Sequence, residues 1–464
     1  MFFSRKKELA ELREKISSNR FEAVLIYGRR RVGKTALIRE VADTYHGCFL
    51  YYECKRSLFG DNLDGLNKLL RNGLGVRFSF QNFRDMLFHL SEQAQKQPIL
   101  FVLDEFPFLM TEQPSVVSDI RDLIDQINHQ TNLKLILSGS YVDMMKSLIE
   151  GNSETFGRFT SVLELKAFDY YDAANFYSCY TPEEKMLMYS VFGGVAFFNS
   201  LIDRDRTPIE NIQRLVLQPN SILQMEIEYT ISSETNKIPM LNSVIEAIGA
   251  GATKYADIKK KVMNQKGGDA NIDYLLKKLI DLEIIEKKVP INDPENRKKT
   301  FYVLADNLMR FYYQFVFPNK NMNSIMNTDD FYNEFVKDRL ISRYLPISFE
   351  KVTREYLIRA NRKHLIDPVI YEVGTYSYDD PKKKINRQFD VVTRDRNGYI
   401  AYECKYTAVP VSATIYREEE YQIRESGIPV YALGFVSKSG FEPGMKNLSD
   451  HLITLDDMYA GSLT

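Results

Sequence analysis

The chain has 464 residues, enough for two to four domains, and its 44% hydrophobic and 27% charged content is that of a soluble globular protein with sizeable cores. A formal net charge of -1 excludes a basic face spread over the whole molecule, so any nucleic-acid surface must be local. Cys48, Cys54, Cys179 and Cys404 show no metal-ligand spacing, and no uninterrupted apolar run approaches membrane-spanning length, so a cytoplasmic protein with no membrane partner is expected.

Leu9, Leu12 and Ile16 recur at helical spacing, so the N-terminus opens on a charged amphipathic helix and not on a signal peptide. Arg5, just ahead of it, either lines a nucleobase pocket or is an exposed arginine without such a role. An apolar run at 23–27 and a helix-like run at 36–42 then flank Gly28-Arg29-Arg30-Arg31-Val32-Gly33-Lys34-Thr35. In a strand-to-helix loop, GxxxxGKT wraps a polyphosphate in consecutive backbone N–H groups while the helix N-terminus adds its dipole. Lys34 would reach the terminal phosphates and Thr35 would hold Mg2+, which makes ATP the expected ligand.

A second strand is expected at 48–52, with amphipathic helices at 63–70 and 83–90. The near-continuous apolar run 98–103 reads as a strand buried on both faces of a parallel sheet, and it ends in Asp104 and Glu105, where such sheets bind ligands. Asp104 would organise the Mg2+ and Glu105 would polarise the attacking water. Another buried strand, 133–137, leads into Ser138-Gly139-Ser140, whose hydroxyls either approach the phosphate and the lytic water or cap a helix starting near Val142. Arg158 is a candidate charge-stabilising finger, in cis or in trans from a homo-oligomeric neighbour; its bland alternative is a surface or ion-paired arginine.

These motifs together resemble the archaeal-type AAA-like/STAND ATPases, in which an ATPase core precedes a helical lid, a winged helix and often a DUF234 nuclease-like domain. On that resemblance residues 1–160 are an α/β P-loop core and 161–235 a lid, with Gly193-Gly194-Val195-Ala196 standing where the family has Gly-Gly-x-Pro.

Helical patterns at 238–248, 255–262 and 271–280, followed by strand alternation at 284–289 and 300–304, describe a winged helix within 236–318. Between Lys254 and Lys299 there are 12 Lys or Arg against 8 Asp or Glu. That surplus suits DNA phosphates, or equally a dock on a partner protein or on the ATPase core. The aromatic helix 306–318 resembles the Asp-x-x-x-Arg-Phe-Tyr element of the same family.

A looser stretch at 319–328 reads as a linker to a small α/β domain at 329–464. There Glu350 lies on a helix, Asp390 on a strand, and Glu403 and Lys405 two apart on the next strand, sharing a face across a hairpin-type turn. Asp390 and Glu403 could hold Mg2+ or Mn2+, with Glu350 as a further acid and Lys405 activating water. Alternatively, Glu403 and Lys405 merely pair on a solvated strand. The arrangement resembles the PD-(D/E)XK core, a restriction-endonuclease-like fold, to which DUF234 is believed to belong. The basic turn 382–387 would contact a DNA backbone. The leading expectation is an ATPase that couples nucleotide state to DNA binding or metal-dependent DNA cleavage. The alternative is a non-nucleolytic switch or scaffold whose C-terminal domain binds DNA or protein.

Overall fold

The computed structural model describes residues 4–127, 131–235, 240–266, 271–380, 385–426 and 428–463, which divide into two compact units. The first comprises Met1–Ala167 with Val195–Phe197; the second comprises Phe168–Gly194 with Phe198–Thr464. Among the described residues no helix is long and apolar enough to cross a membrane. The basic turn expected at Lys382 to Lys384 lies outside the described residues.

The first unit runs α1 (Lys6–Ser17), β1 (Glu22–Tyr27), α2 (Lys34–Ala42), β2 (Cys48–Glu53), α3 (Phe59–Leu74), α4 (Phe83–Ala94), β3 (Ile99–Asp104), α5 (Pro107–Glu112), α6 (Val116–Gln126), β4 (Leu133–Gly139), α7 (Val142–Ser147) and β5 (Ser161–Glu164). Its five strands form one parallel sheet in the order β2-β3-β4-β1-β5. Every residue of β1, β3 and β4 is buried, the consequence of a sheet covered on both faces. Alternation divides their side chains between two cores. Val24, Ile26, Leu100, Val102 and Ile136 meet Leu12, Leu37 and Ile38 of α1 and α2. Ala23, Leu25, Phe101, Leu103 and Leu135 meet α3, α4 and α6 through residues such as Leu66, Leu87 and Ile120. The register pairs Leu103 with Leu137 and Tyr27 with Gly139, so the carboxyl ends of β3, β4 and β1 finish at one level.

In the second unit α8 (Pro182–Phe192) starts on a capping box made by Thr181 and Glu184. Helices α9 (Leu241–Gly249), α10 (Tyr255–Lys266) and α11 (Ile272–Asp281) precede an antiparallel hairpin of β6 (Ile285–Lys288) and β7 (Phe301–Leu304). After α12 (Asn307–Phe311), the stretch expected as a linker is itself partly helical, over Lys320–Ile325. The residues by themselves read as two helices, 331–344 and 348–357, whereas the structure joins them in one run from Thr328 that ends in α13 (Leu345–Arg362). Pro346 lies inside that run, directly after the wider π-helical turn Leu340–Tyr344.

The C-terminal sheet contains β8 (Glu372–Asp380), β9 (Ile385–Asp395) and β10 (Gly398–Lys405), then, beyond α14 (Ala413–Ser426), β11 (Val430–Ser437) and β12 (Leu452–Thr454). Their order is β12-β11-β10-β9-β8; the β8–β9 and β9–β10 pairs are antiparallel and the other two parallel.

The connection after β6 covers the edge strand β8. Ile291 N–H donates to the Thr375 carbonyl at 2.8 Å, while Asn292 exchanges two bonds with the Ser377 backbone at 2.8 and 3.1 Å. Gly374 makes room, since a Cβ there would lie 2.5 Å from Ile291 Cγ2. An exposed edge is thereby paired within the chain. Asn292→Ala should remove both side-chain bonds and cost about 1–2 kcal/mol locally. Hydrogen exchange should then be faster at the Ser377 amide and unchanged in β1, β3 and β4.

Candidate functional site

The loop between β1 and α2 is shaped by two glycines. A Cβ on Gly28 would meet the Leu165 carbonyl oxygen at 2.1 Å, and Gly33, at φ 105°, caps α2 in a conformation other residues resist. Arg31 takes φ 69°; its guanidinium stacks 3.9 Å over the Phe197 ring and its carbonyl accepts from Phe197 N–H at 3.3 Å. The Val195–Phe197 segment thus lies on the loop, with Ala196 Cβ 3.6 Å from where a Gly33 Cβ would be. Arg5 is buried and donates to the Val32 and Lys166 carbonyls at 2.8 and 2.7 Å, so it braces the loop backbone.

Lys34, the first residue of α2, is buried and donates through Nζ to the Gly28 carbonyl at 2.9 Å, the Arg29 carbonyl at 3.2 Å and Ser140 Oγ at 2.7 Å. Burial draws its ammonium below the ordinary lysine range, opposed by the charges of Glu105 and Asp104. Ser140 Oγ in turn donates to Glu105 Oε1 at 2.5 Å, and its N–H donates to Oε2 at 3.1 Å. Glu105 reaches this position from a left-handed backbone, φ 52°. Beside that chain, Thr35 Oγ1 donates to Asp104 Oδ2 at 2.7 Å, and Glu105 N–H donates to Oδ1 at 3.0 Å.

The structure therefore brings Lys34, Thr35, Asp104 and Glu105 together. Of the two serines at the end of β4, Ser140 joins them, whereas Ser138 is buried with no partner for its hydroxyl among the described residues. Arg158 is held in a two-bond pair with Asp125, at 2.7 and 3.0 Å. Tyr51 has no signal in its own segment, yet its hydroxyl donates to Asp104 Oδ2 at 2.8 Å. Burial and then the Asp104 charge raise the Tyr51 phenol, keeping it a donor. Only the pairing of β2 with β3 could reveal it.

In the second unit α13 carries Glu350, β9 carries Asp390 and β10 carries Glu403 and Lys405. The β9–β10 ladder ends at the pair Val391–Tyr402, whose next residues along the two strands are Asp390 and Glu403. Lys405 Nζ donates to Glu403 Oε1 at 2.8 Å and to Glu419 Oε1 of α14 at 3.2 Å. Asp390 Oδ1 accepts from Gln388, and its carbonyl accepts from Arg354 at 2.7 Å. Burial, then the charges of Asp390 and Glu403, push the Glu350 carboxyl up to about 8 against Arg354 and Lys288. Glu403 is raised by burial as well, opposed by Lys405. Among the described residues no three His, Cys, Asp or Glu side chains converge closely enough to hold a metal ion. The sequence reading missed Glu419, which lies in a charged helix without a motif.

Comparison with known proteins follows this division. The family model for an ATPase domain predominantly from Archaea matches residues 2–196, and the model called DUF234, archaeal and bacterial proteins of unknown function, matches 312–419. The chain carries an archaeal-type P-loop ATPase domain fused to a DUF234 domain. It is 28% identical over 382 residues to an uncharacterized protein of Methanocaldococcus jannaschii, covering 81% of this chain and 82% of that one. An uncharacterized ATP-binding protein of the same organism is 50% identical over 43 residues, 9% of this chain and 73% of that one. The Walker-type ATPase of Pyrococcus abyssi superposes with a TM-score of 0.50 at 16% identity, covering 67% of this chain and 96% of that one, which shows a shared ATPase fold.

The DUF234 region yields a pH prediction. Glu350 titrates near 8 in the folded chain against 4.5 in its ordinary state, so folding favours its protonated form. The resulting stability is complete below pH 4.5 and is lost as pH rises towards about 8. Glu350→Gln should therefore gain on wild type across that interval and hold a constant lead above it, measured by urea unfolding in chelator at several pH values.

Proposed function

We propose that this protein is an ATP-hydrolysing switch whose second unit binds DNA. The observation that carries the ATPase half is the chain Lys34 Nζ to Ser140 Oγ to Glu105, beside the Thr35–Asp104 pair. Hydrolysis needs a cation on the transferred phosphoryl oxygens, a base for the attacking water and hard oxygens for a divalent metal. Lys34 supplies the first and Glu105 the second. The Thr35 hydroxyl and Asp104 carboxylate form a hard-oxygen pair that fits Mg2+, which when bound neutralises phosphate charge. Glu105 takes the proton of the water that adds to the γ-phosphorus, and ADP leaves. Tyr51 keeps the Asp104 carboxylate oriented. Residues 1–160 together with strand β5 are the ATPase core in this reading, the rest of 161–235 the lid, 236–318 a winged helix and 329–464 the DNA-contacting domain.

A second reading, metal-dependent DNA cleavage, draws support from the mutual electrostatic influence of Glu350, Asp390 and Glu403 and from Lys405 beside them. The helix, three antiparallel strands, helix and parallel strand around them accord with the nuclease resemblance. Binding without cleavage ranks first because Lys405 is committed to two carboxylates and no metal-holding group of three is formed among the described residues.

Lys34→Ala and Glu105→Gln should each lower ATP hydrolysis by about 100-fold or more, with nucleotide binding retained only in Glu105→Gln. Wild-type turnover no faster than these variants would refute the ATPase assignment. Incubation of linear and branched DNA with Mg2+ or Mn2+ should leave it intact while a gel shift reports binding. Cleavage that disappears in Glu403→Ala would instead establish the nuclease.

A further inference from the structure

The hairpin connection that pairs with β8 begins just after Lys288, the last residue of β6, with Pro290 already bridged to Thr375. Docking therefore holds Lys288 within electrostatic reach of Lys351 and Arg354 on α13. Lys351 and Arg354 are one turn apart on that helix, and Arg310 of α12 reaches it by donating to Ser348 Oγ at 2.7 Å.

Four cations on three elements thus gather at one place, and three of them are anchored on neutral oxygens. Lys351 donates to Asn307 Oδ1 at 2.8 Å, Arg354 to the Asp390 carbonyl at 2.7 Å and Arg310 to the Ser348 hydroxyl. Bonds of this kind aim a charge without cancelling it. Lys288 has a carboxylate at 3.7 Å, on the half-exposed Glu286. Burial first, and then the charges of Arg354, Lys351 and Arg310 against that of Glu286, draw the Lys288 ammonium down to about 8. Carboxyl groups also face the cluster, Glu355 within electrostatic reach of Lys351 and Glu350 of Arg354 and Lys288.

We propose that Lys288, Lys351 and Arg354 form a binding site for backbone phosphates of DNA, assembled only while the β6–β7 hairpin is docked on β8. The inference rests on the reading of the second unit as a DNA-binding module and adds where the backbone sits and what builds the site. Guanidinium and ammonium groups fixed on two elements match phosphate oxygens, and contacts of this class set position without reading sequence. The hairpin strand, instead of entering a groove by itself, brings one of three cations to a site on a helix of the neighbouring fold.

The test uses the full chain and a fluorescent DNA duplex in anisotropy titrations over a range of NaCl concentrations. Lys288→Gln and Lys351→Gln should each weaken binding by about 5-fold and lower the slope of log affinity against log salt by about one. Lys288→Arg should bind as wild type does. Asn292→Ala, which alters docking and none of the three cations, should weaken binding in the same direction. Melting temperatures of the variants report folding. If wild type binds DNA and the lysine variants bind equally well with the same slope, the site is wrong and the DNA-binding reading stands. If wild type fails to bind DNA at any salt concentration, both fall. Tighter binding of a polyglutamate peptide than of DNA would also overturn the site, marking it as a surface for an acidic protein.

Discussion

The nucleotide site depends on β4 lying between β3 and β1. Parallel pairing on both sides brings three carboxyl ends, separated by long stretches of chain, to one edge of the sheet. Each supplies a different part: the glycine-rich loop and Lys34 after β1, Asp104 and Glu105 at the end of β3, Ser140 after β4. The crevice beyond the strand ends is where sheets of this type bind ligands, because loop N–H groups and helix N-termini converge there. The burial of Lys34 and Asp104 is tolerable because each has polar partners within 3 Å.

In the second unit α13 has a comparable role. Glu355 accepts from the Tyr189 hydroxyl at 2.8 Å and from Tyr170 N–H at 3.0 Å, while Arg359 pairs with Asp169 and Asp172 at 2.8 and 3.1 Å. Arg354 on the same helix holds β9 through the Asp390 carbonyl. One helix thereby ties the chain around 169–192 to the C-terminal sheet, and the hairpin connection clips onto the far edge of that sheet. Removing a partner from such a buried polar network leaves a desolvated group behind, so the segments are constrained together more tightly than apolar contact alone would require.

Placing Val195–Phe197 with the ATPase unit gives the nucleotide loop contacts from a segment whose chain neighbours belong to the other unit. Arg31 both stacks on Phe197 and accepts its N–H, and the loop it belongs to is the one that would wrap a polyphosphate. A change in the loop on nucleotide turnover would therefore be felt directly by these three residues.

Much of the ATPase domain was legible in the residues themselves. GxxxxGKT between an apolar run and a helix, and a buried strand ending in Asp-Glu, determine chemistry locally, because phosphate wrapping needs consecutive backbone atoms. The positions of Asp390, Glu403 and Lys405 on adjoining strands were equally readable, since alternation and a hairpin turn set faces over short distances. Which serine meets Lys34, the donation from Tyr51 to Asp104, the seat of Arg158 on Asp125 and the arrival of Lys288 beside α13 were decided only by tertiary structure. Each joins segments far apart in the chain through strand order or edge pairing, and no periodicity within one segment encodes its neighbour across a sheet.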